Sequence, residues 1–204
     1  MTVRYDIVDF DKPGGHGAFL QVCFGEDWAE KAFLVNEPEW GVRKKLSELD
    51  PTRGCYWCVG AIPWGKARTI QNVENVRALV LDDVGTKIAT SSAMELAWEL
   101  GQEAPSGSGL TAIVGTSKDN FQYVYTFGNP PSAKSFTRFR KQLLGELQGA
   151  VDGKDAVHFF RLPWGVNRKP GREMFKVDGR LGVWDGKKPE PLDVDALMAK
   201  WGKA

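Results

Sequence analysis

The stretch "RALVLDDVGTK", residues 77–87, decides the reading of this chain. An apolar, strand-forming run ends in two adjacent carboxylates, Asp82 and Asp83, and Gly85 then breaks the pattern. A continuous apolar run of this length predicts a strand covered on both faces, placed centrally in a sheet. Two neighbouring like charges at its end repel each other and resist desolvation. Either they are turn chemistry closing the strand, or a cation offsets them. Ligands sit at strand ends in α/β sheets, and carboxylates converging from separate segments hold Mg²⁺ or Mn²⁺. Asp152, which follows the apolar step Ala150–Val151, is a third acid in a similar setting.

Working outward, strands and helices mix along the whole chain, which predicts an α/β or α+β class. Strands are expected at 17–25, 55–63 and 76–83, and a short helix at 37–51 stopped by Pro51. A helix is expected at 91–101, with a Ser N-cap and a Gly stop. Residues 109–117 and 120–128 flank the turn "SKDN" and predict a hairpin. The segment 129–149 carries Phe136, Phe139, Leu143 and Leu147 on one helical face, with Lys134, Arg138 and Lys141 on the other. A Gly-punctuated hairpin and a short terminal helix, "DVDALMAKWG", complete the pattern. Residues 1–204 read as one compact unit with no linker, divisible into an N-terminal α/β module (1–75) and a second module (76–185).

The bulk numbers exclude several classes. Hydrophobic content is 42% and charged content 26%, ordinary for a globular chain. No apolar run approaches the roughly 20 residues of a membrane span, and the N-terminus lacks a signal-peptide core. Three cysteines give no disulfide framework, which predicts a reducing, cytoplasmic setting. Net charge is +1, so nucleic-acid binding must rest on local patches. One such patch is "RLPWGVNRKPGR": Arg161, Arg168, Lys169 and Arg172 lie in twelve acid-free residues with Asn167 among them, and Pro and Gly predict an irregular loop. That composition suits a triphosphate or a nucleic-acid backbone, and equally a solvated basic loop. In "GTSKDNFQ", Thr116, Ser117, Asn120 and Gln122 offer small polar groups at a strand–turn–strand junction.

Other features carry less. Cys55 and Cys58 form a C-x-x-C, but an extended strand turns them to opposite sides, and zinc needs four ligands. His16 and His158 are far apart in sequence, which argues against a His-x-His nicking endonuclease. No "GK[ST]" phosphate loop and no "GxSxG" elbow is present.

Taken in order, three of these stretches resemble the archaeo-eukaryotic primase superfamily, in particular the primase-polymerase (PrimPol) domains of phages, plasmids and mobile elements. The apolar strand ending in acids is "RALVLDDVGTK". The hairpin "GTSKDNFQYVY" is similar to a TSPGNxQ pattern. "AVDGKDAVHFFRLPWGVNRKPG" is similar to an acid followed by RLPGxxNxK. The match spans residues 77–170. The resemblance implies an RRM-like sheet packed against a smaller α/β module, with the site in the cleft between them. It implies divalent metal (Mg²⁺ or Mn²⁺) held by Asp82, Asp83 and Asp152, with Asp155 competing for the third role. It places Ser117 and Gln122 against an incoming nucleotide, Arg161 and Lys169 on its triphosphate, and Asn167 nearby. The implied activity is DNA-directed primer synthesis or extension on single-stranded DNA from NTPs or dNTPs, in cooperation with a replicative helicase, separate or fused in a longer chain. The alternatives are a catalytically degenerate replication-initiator module that binds nucleic acid, and a metal-dependent nuclease.

The chain departs from that pattern in one respect that matters physically. The first motif is usually acid-x-acid, which puts both carboxylates on one face of a strand. Here the acids are adjacent, so both reach a cleft only through a bulge or the start of a turn at 82–83.

Overall fold

In the computed structural model, residues 15–104, 107–146, 155–169, 174–181 and 188–201 are described, with 142–146, 181 and 201 described as backbone. Asp152 and Arg172 lie outside the described residues. The helices are α1 (Gly15–Phe24), α2 (Trp28–Lys31), α3 (Thr90–Gly101), α4 (Ala133–Glu146) and α5 (Val194–Trp201). The strands are β1 (Leu34–Asn36), β2 (Gly54–Cys58), β3 (Gly60–Ala61), β4 (Asn75–Val76), β5 (Ala78–Val84), β6 (Ala112–Ser117), β7 (Asn120–Thr126), β8 (Phe159–Asn167), β9 (Phe175–Lys176) and β10 (Asp178–Leu181).

Two four-stranded sheets dominate, with orders β1-β2-β8-β9 and β10-β6-β7-β5; β3 and β4 make a small third sheet. The run β5–α3–β6–β7–α4 supplies the first five elements of a β-α-β-β-α-β unit. The first sheet takes two strands from 34–58 and two from 159–176, so a cut at residue 75 would divide it.

Strand alternation explains how the sheets pack. In β8, Phe160 and Leu162 turn toward the main core, where Trp57 stands edge-on to Phe19 and Phe24 of α1. Phe159 and Arg161 turn to the opposite face, beside Tyr56 of β2. In the second sheet, Leu81 pairs with Tyr123, whose hydroxyl reaches Met94 of α3. The other face carries Val80, Val124 and Val114 and then changes to Asp82, Gln122 and Thr116 at one end. The polar end of that face is where the site lies. The chain passes from one sheet to the other at Val177: its N–H donates to Gly165 O at 3.0 Å, and the next residue, Asp178, is already in register with Gly115.

Several local expectations are corrected. Of the expected strand at 17–25, residues 17–24 lie in helix α1: His16, Phe19, Leu20, Cys23 and Phe24 recur at helical spacing and are all buried. Residues 37–51 form turns and one short 3₁₀ turn at Leu46–Glu48, because Pro38, Gly41 and Pro51 interrupt any longer helix. β5 is buried on both faces as expected, yet it is an edge strand rather than a central one. The residue before α3 is Ala89, with no side-chain cap. The expected loop 161–172 is strand through Asn167, with Gly165 at φ 89° absorbing an irregularity in the β2–β8 register. The expected hairpin after it is replaced by β9 and β10, which pair with different sheets. The 112–126 hairpin forms as expected, through a tight turn in which Asp119 adopts φ 58°.

Gly85, at φ 93°, closes the turn after the acids, and a Cβ there would collide with the backbone carbonyl of Asp119. Gly85→Ala is expected to lower the unfolding free energy by about 1–3 kcal/mol. A urea titration checks this, and unchanged stability contradicts the close approach.

Candidate active site

At the end of β5 the ladder with β7 slips: Leu81 pairs with Tyr123 and Val84 with Phe121. Asp82 and Asp83 therefore both lie opposite Gln122, a two-against-one β-bulge. Asp83 sits at φ 60°, a left-handed conformation that costs a non-glycine residue energy, though Asp tolerates it better than most. Local bonds hold it there. The N–H groups of Thr86, Lys87 and Ile88 converge on Asp83 O at 3.2, 2.9 and 3.1 Å, and Asp83 N–H donates to Asp82 Oδ1 at 2.9 Å. The bulge brings both carboxylates to one cleft.

Each acid is then oriented from β7. Gln122 Nε2 donates to Asp82 Oδ1 at 3.1 Å, and Asn120 Nδ2 lies 3.4 Å from Asp83 Oδ1. Asn120 also donates to Thr116 Oγ1 at 3.0 Å and accepts from Thr86 Oγ1 at 2.9 Å, so its amide is fixed. The Lys87 ammonium, 3.0 Å from Asp83 Oδ2, is a cation that offsets the pair. That lysine is 55% exposed, so its pairing is weak and easily exchanged.

The cleft has a volume of about 540 Å³, within the range of small-ligand sites. Its acid wall is Asp82 and Asp83; the facing wall carries Arg161, Lys169, Arg68 and His158, with Glu37, Tyr56 and Phe159 beside them. Arg161 is 5% exposed. Its Nη2 donates to Asn167 Oδ1 at 2.8 Å, and its guanidinium lies 4.8 Å from the Tyr56 ring centre. Its Nη1 is buried with no hydrogen-bond partner. Burial lowers the guanidinium pKa from its ordinary value, yet arginine remains charged at neutral pH. Burial likewise pushes the Tyr56 hydroxyl up to about 12, so it stays a neutral donor, to Glu37 Oε2 at 3.2 Å. A buried cation with an unanswered donor is costly by itself; an anionic ligand answers it.

Asn167 joins the two sheets. Its Nδ2 donates to Thr116 O at 2.6 Å while its Oδ1 accepts from Arg161 and from Lys169 N–H. The sequence placed it near the site; the structure gives it the job of holding Arg161 and clamping β8 to β6. Gln122 lines the cleft with its Oε1 buried and unpartnered. Ser117 is buried at the end of β6, and Thr116 rather than Ser117 lines the cleft. Asp155 is in a different hollow with Lys134, Arg138 and Lys141, and its Oδ1 accepts from Val157 N–H. Asp152 is outside the described residues.

The sequence marks Arg161 and Lys169 but not the rest of the lining: nothing in it singles out Glu37, Trp40, Tyr56, Arg68 or Lys87, although the alternation of 159–161 marks Phe159 and Arg161 as sharing a face. Cys55 and Cys58 do lie on opposite faces of β2, and burial raises their thiols to about 11 and about 12, which suits core residues. A larger hollow of about 680 Å³, lined by Trp28, Leu34, Trp64 and Trp164, brings no paired acids together and offers no comparable chemistry.

The donor set suits a divalent cation. Mg²⁺ is usually bound through one or two carboxylates, with water and substrate phosphate completing its shell, and Asp82 and Asp83 supply two oriented carboxylates. Among the described residues no three His, Cys, Asp or Glu side chains cluster tightly enough to hold a metal by themselves. Among them, too, no helix is long and apolar enough to cross a membrane.

No family model and no curated protein matches the sequence. Solved structures do match. The AEP domain of the cyanophage S-2L primase-polymerase (PrimPol) superposes with a TM-score of 0.60 at 13% identity, covering 90% of this chain and 95% of that one. The primase RepB′ superposes with a TM-score of 0.54 at 15% identity, covering 92% of this chain and 60% of that one. The protein therefore shares the fold of these two domains, a mixed α/β core built on antiparallel sheets.

Two measurements test the site. Asp82→Asn/Asp83→Asn relieves like-charge repulsion and places Asn where φ is positive, so in EDTA it is expected to melt about 2–4 °C above the wild type. Mn²⁺ is expected to raise the melting temperature of the wild type and leave the variant unmoved; equal shifts contradict metal binding by this pair. Asn167→Ala strips partners from buried groups on both sheets and is expected to cost about 2–3 kcal/mol in denaturant unfolding. A cost below about 0.5 kcal/mol contradicts the clamp.

Proposed function

We propose that the protein is a metal-dependent primase-polymerase that adds nucleotides to a strand templated by single-stranded DNA. The observation that carries this reading is the opposition, across one cleft, of two bulge-positioned carboxylates and a buried arginine with an unpartnered donor. Asp82 and Asp83 would hold Mg²⁺ or Mn²⁺, with Asp152 the candidate third ligand. The bound metal would supply charge stabilisation for the attacking and leaving oxygens of the transfer.

The remaining roles fall to the chain's own side chains. Gln122 and Asn120 keep the acid oxygens aimed into the cleft without neutralising them. Arg161 presents Nη1 to a triphosphate oxygen, its own position fixed by Asn167 and the Tyr56 ring. Because these donors are set before substrate arrives, little reorganisation accompanies charge transfer. Lys169, exposed at the cleft margin, adds a second positive charge. Lys87 exchanges its contact with Asp83 when metal and substrate enter. A template strand and NTP or dNTP substrates belong to this proposal, with a replicative helicase, separate or fused in a longer chain, as the proposed partner. A phage or mobile-element setting and a cytoplasmic location accompany the same reading.

Primer extension on single-stranded templates, with Mg²⁺ and with Mn²⁺, tests it. Asp82→Asn/Asp83→Asn is expected to lose activity by about a hundredfold or more. Arg161→Lys keeps charge but loses the fork, and is expected to raise the nucleotide KM about tenfold with a smaller change in kcat. Full extension by the acid variant contradicts the reading. Salt-sensitive DNA binding with no incorporation by the wild type under either metal makes the protein an initiator module instead.

A further inference from the structure

Beside the cleft lies a second hollow, of about 570 Å³, that shares Trp40 and Arg68 with it. Its lining includes Trp40, Trp64, Arg43, Lys66 and Arg68, and no acid. Trp40 and Trp64 are 40% and 45% exposed, unusual for the largest apolar side chain. Neither ring is loose. Trp64 lies against the Arg43 guanidinium, 4.6 Å from its ring centre. Arg43 is itself fixed by bonds to the carbonyls of Pro63, Glu30 and Ala32. Trp40 packs on Tyr56 and Phe159, with ring centres 4.7 and 5.9 Å apart. Arg68 lies over Phe159 at 4.0 Å, and Lys66 is exposed at the rim.

Rigid, half-exposed aromatic faces interleaved with cations are what unpaired bases and their phosphates require. Stacking accepts any base, and basic side chains follow the backbone. We propose that this hollow seats single-stranded DNA as it passes to or from the cleft, with a base on the open face of Trp64, another on Trp40, and phosphates met by Lys66 and Arg68. The proposal rests on nucleotidyl transfer in the adjoining cleft, which gives the strand its reason to be there. It assigns the template a path over the β1–β2 end of the first sheet. Arg43 is a positioning residue for Trp64, since both of its terminal guanidinium nitrogens are held by backbone carbonyls.

Fluorescence anisotropy with a labelled oligo-dT, and with an abasic oligonucleotide of equal length, tests the platform. Trp64→Ala is expected to weaken oligo-dT binding by about tenfold and abasic binding by less than twofold, while Trp64→Phe restores most of the loss. Lys66→Ala is expected to weaken both ligands and to lower the salt slope by about one. Wild-type binding by Trp64→Ala and Lys66→Ala overturns the proposal, as does an equal loss on abasic DNA. Circular dichroism melting of each variant separates these outcomes from misfolding. The Asp82→Asn/Asp83→Asn variant separates the two readings. Undiminished extension by it removes the polymerase assignment while the platform stands, and undiminished DNA binding by the tryptophan and lysine variants removes the platform alone.

Discussion

The structure depends on one extra residue. A regular strand would send Asp82 and Asp83 to opposite faces of β5, one toward α3 and the main core, where an unpaired carboxylate is expensive. The bulge against Gln122 resolves that conflict by placing both acids on the open side. Its cost is a left-handed Asp83 and two like charges lining one cleft. Three converging amides, two side-chain amides and the Lys87 ammonium offset that cost. Strain concentrated in a single turn and stabilised from every side is characteristic of sites whose geometry serves chemistry rather than folding.

The opposite wall obeys the same economy of means. Strand β8 alternates, so Phe160 and Leu162 anchor it in the core while Phe159 and Arg161 face the cleft. Arg161 is held at the junction of the two sheets, because its partner Asn167 also bonds the β6 carbonyl of Thr116. Moving either sheet therefore moves the arginine relative to the acids.

Much of this was legible in the sequence. The apolar run before Asp82, the "SKDN" turn and the amphipathic 133–146 helix each carry their own local signal, and each forms. Asp82, Asp83, Gln122, Arg161, Asn167 and Lys169 are marked by the resemblance to primase motifs, and the fold brings all six to one cleft, whereas Ser117, marked in the same way, does not line it. What failed depended on tertiary context. Residues 17–25 have an apolar content that fits strand or helix, and only burial of 16, 19, 20, 23 and 24 on one face decides between them. The 161–167 segment reads as a loop from its Pro and Gly, but pairing with β2 overrides local propensity. Glu37, Tyr56 and Arg68 carry no motif; they reach the cleft because β2 pairs with β8, Glu37 meets the Tyr56 hydroxyl, and Arg68 lies over Phe159. Lys87 stood within the opening stretch itself, four residues after Asp83, a spacing that the tight turn converts into an ion pair.

The central claim is that the bulge aims both acids at a ligand bound by Arg161. Anomalous diffraction from crystals grown with Mn²⁺ and a non-hydrolysable nucleoside triphosphate tests it most directly. The account predicts a manganese peak contacting oxygens of both Asp82 and Asp83, with a phosphate oxygen within hydrogen-bond reach of Arg161 Nη1. A peak touching only one of the acids, or a triphosphate seated away from Arg161, would contradict it.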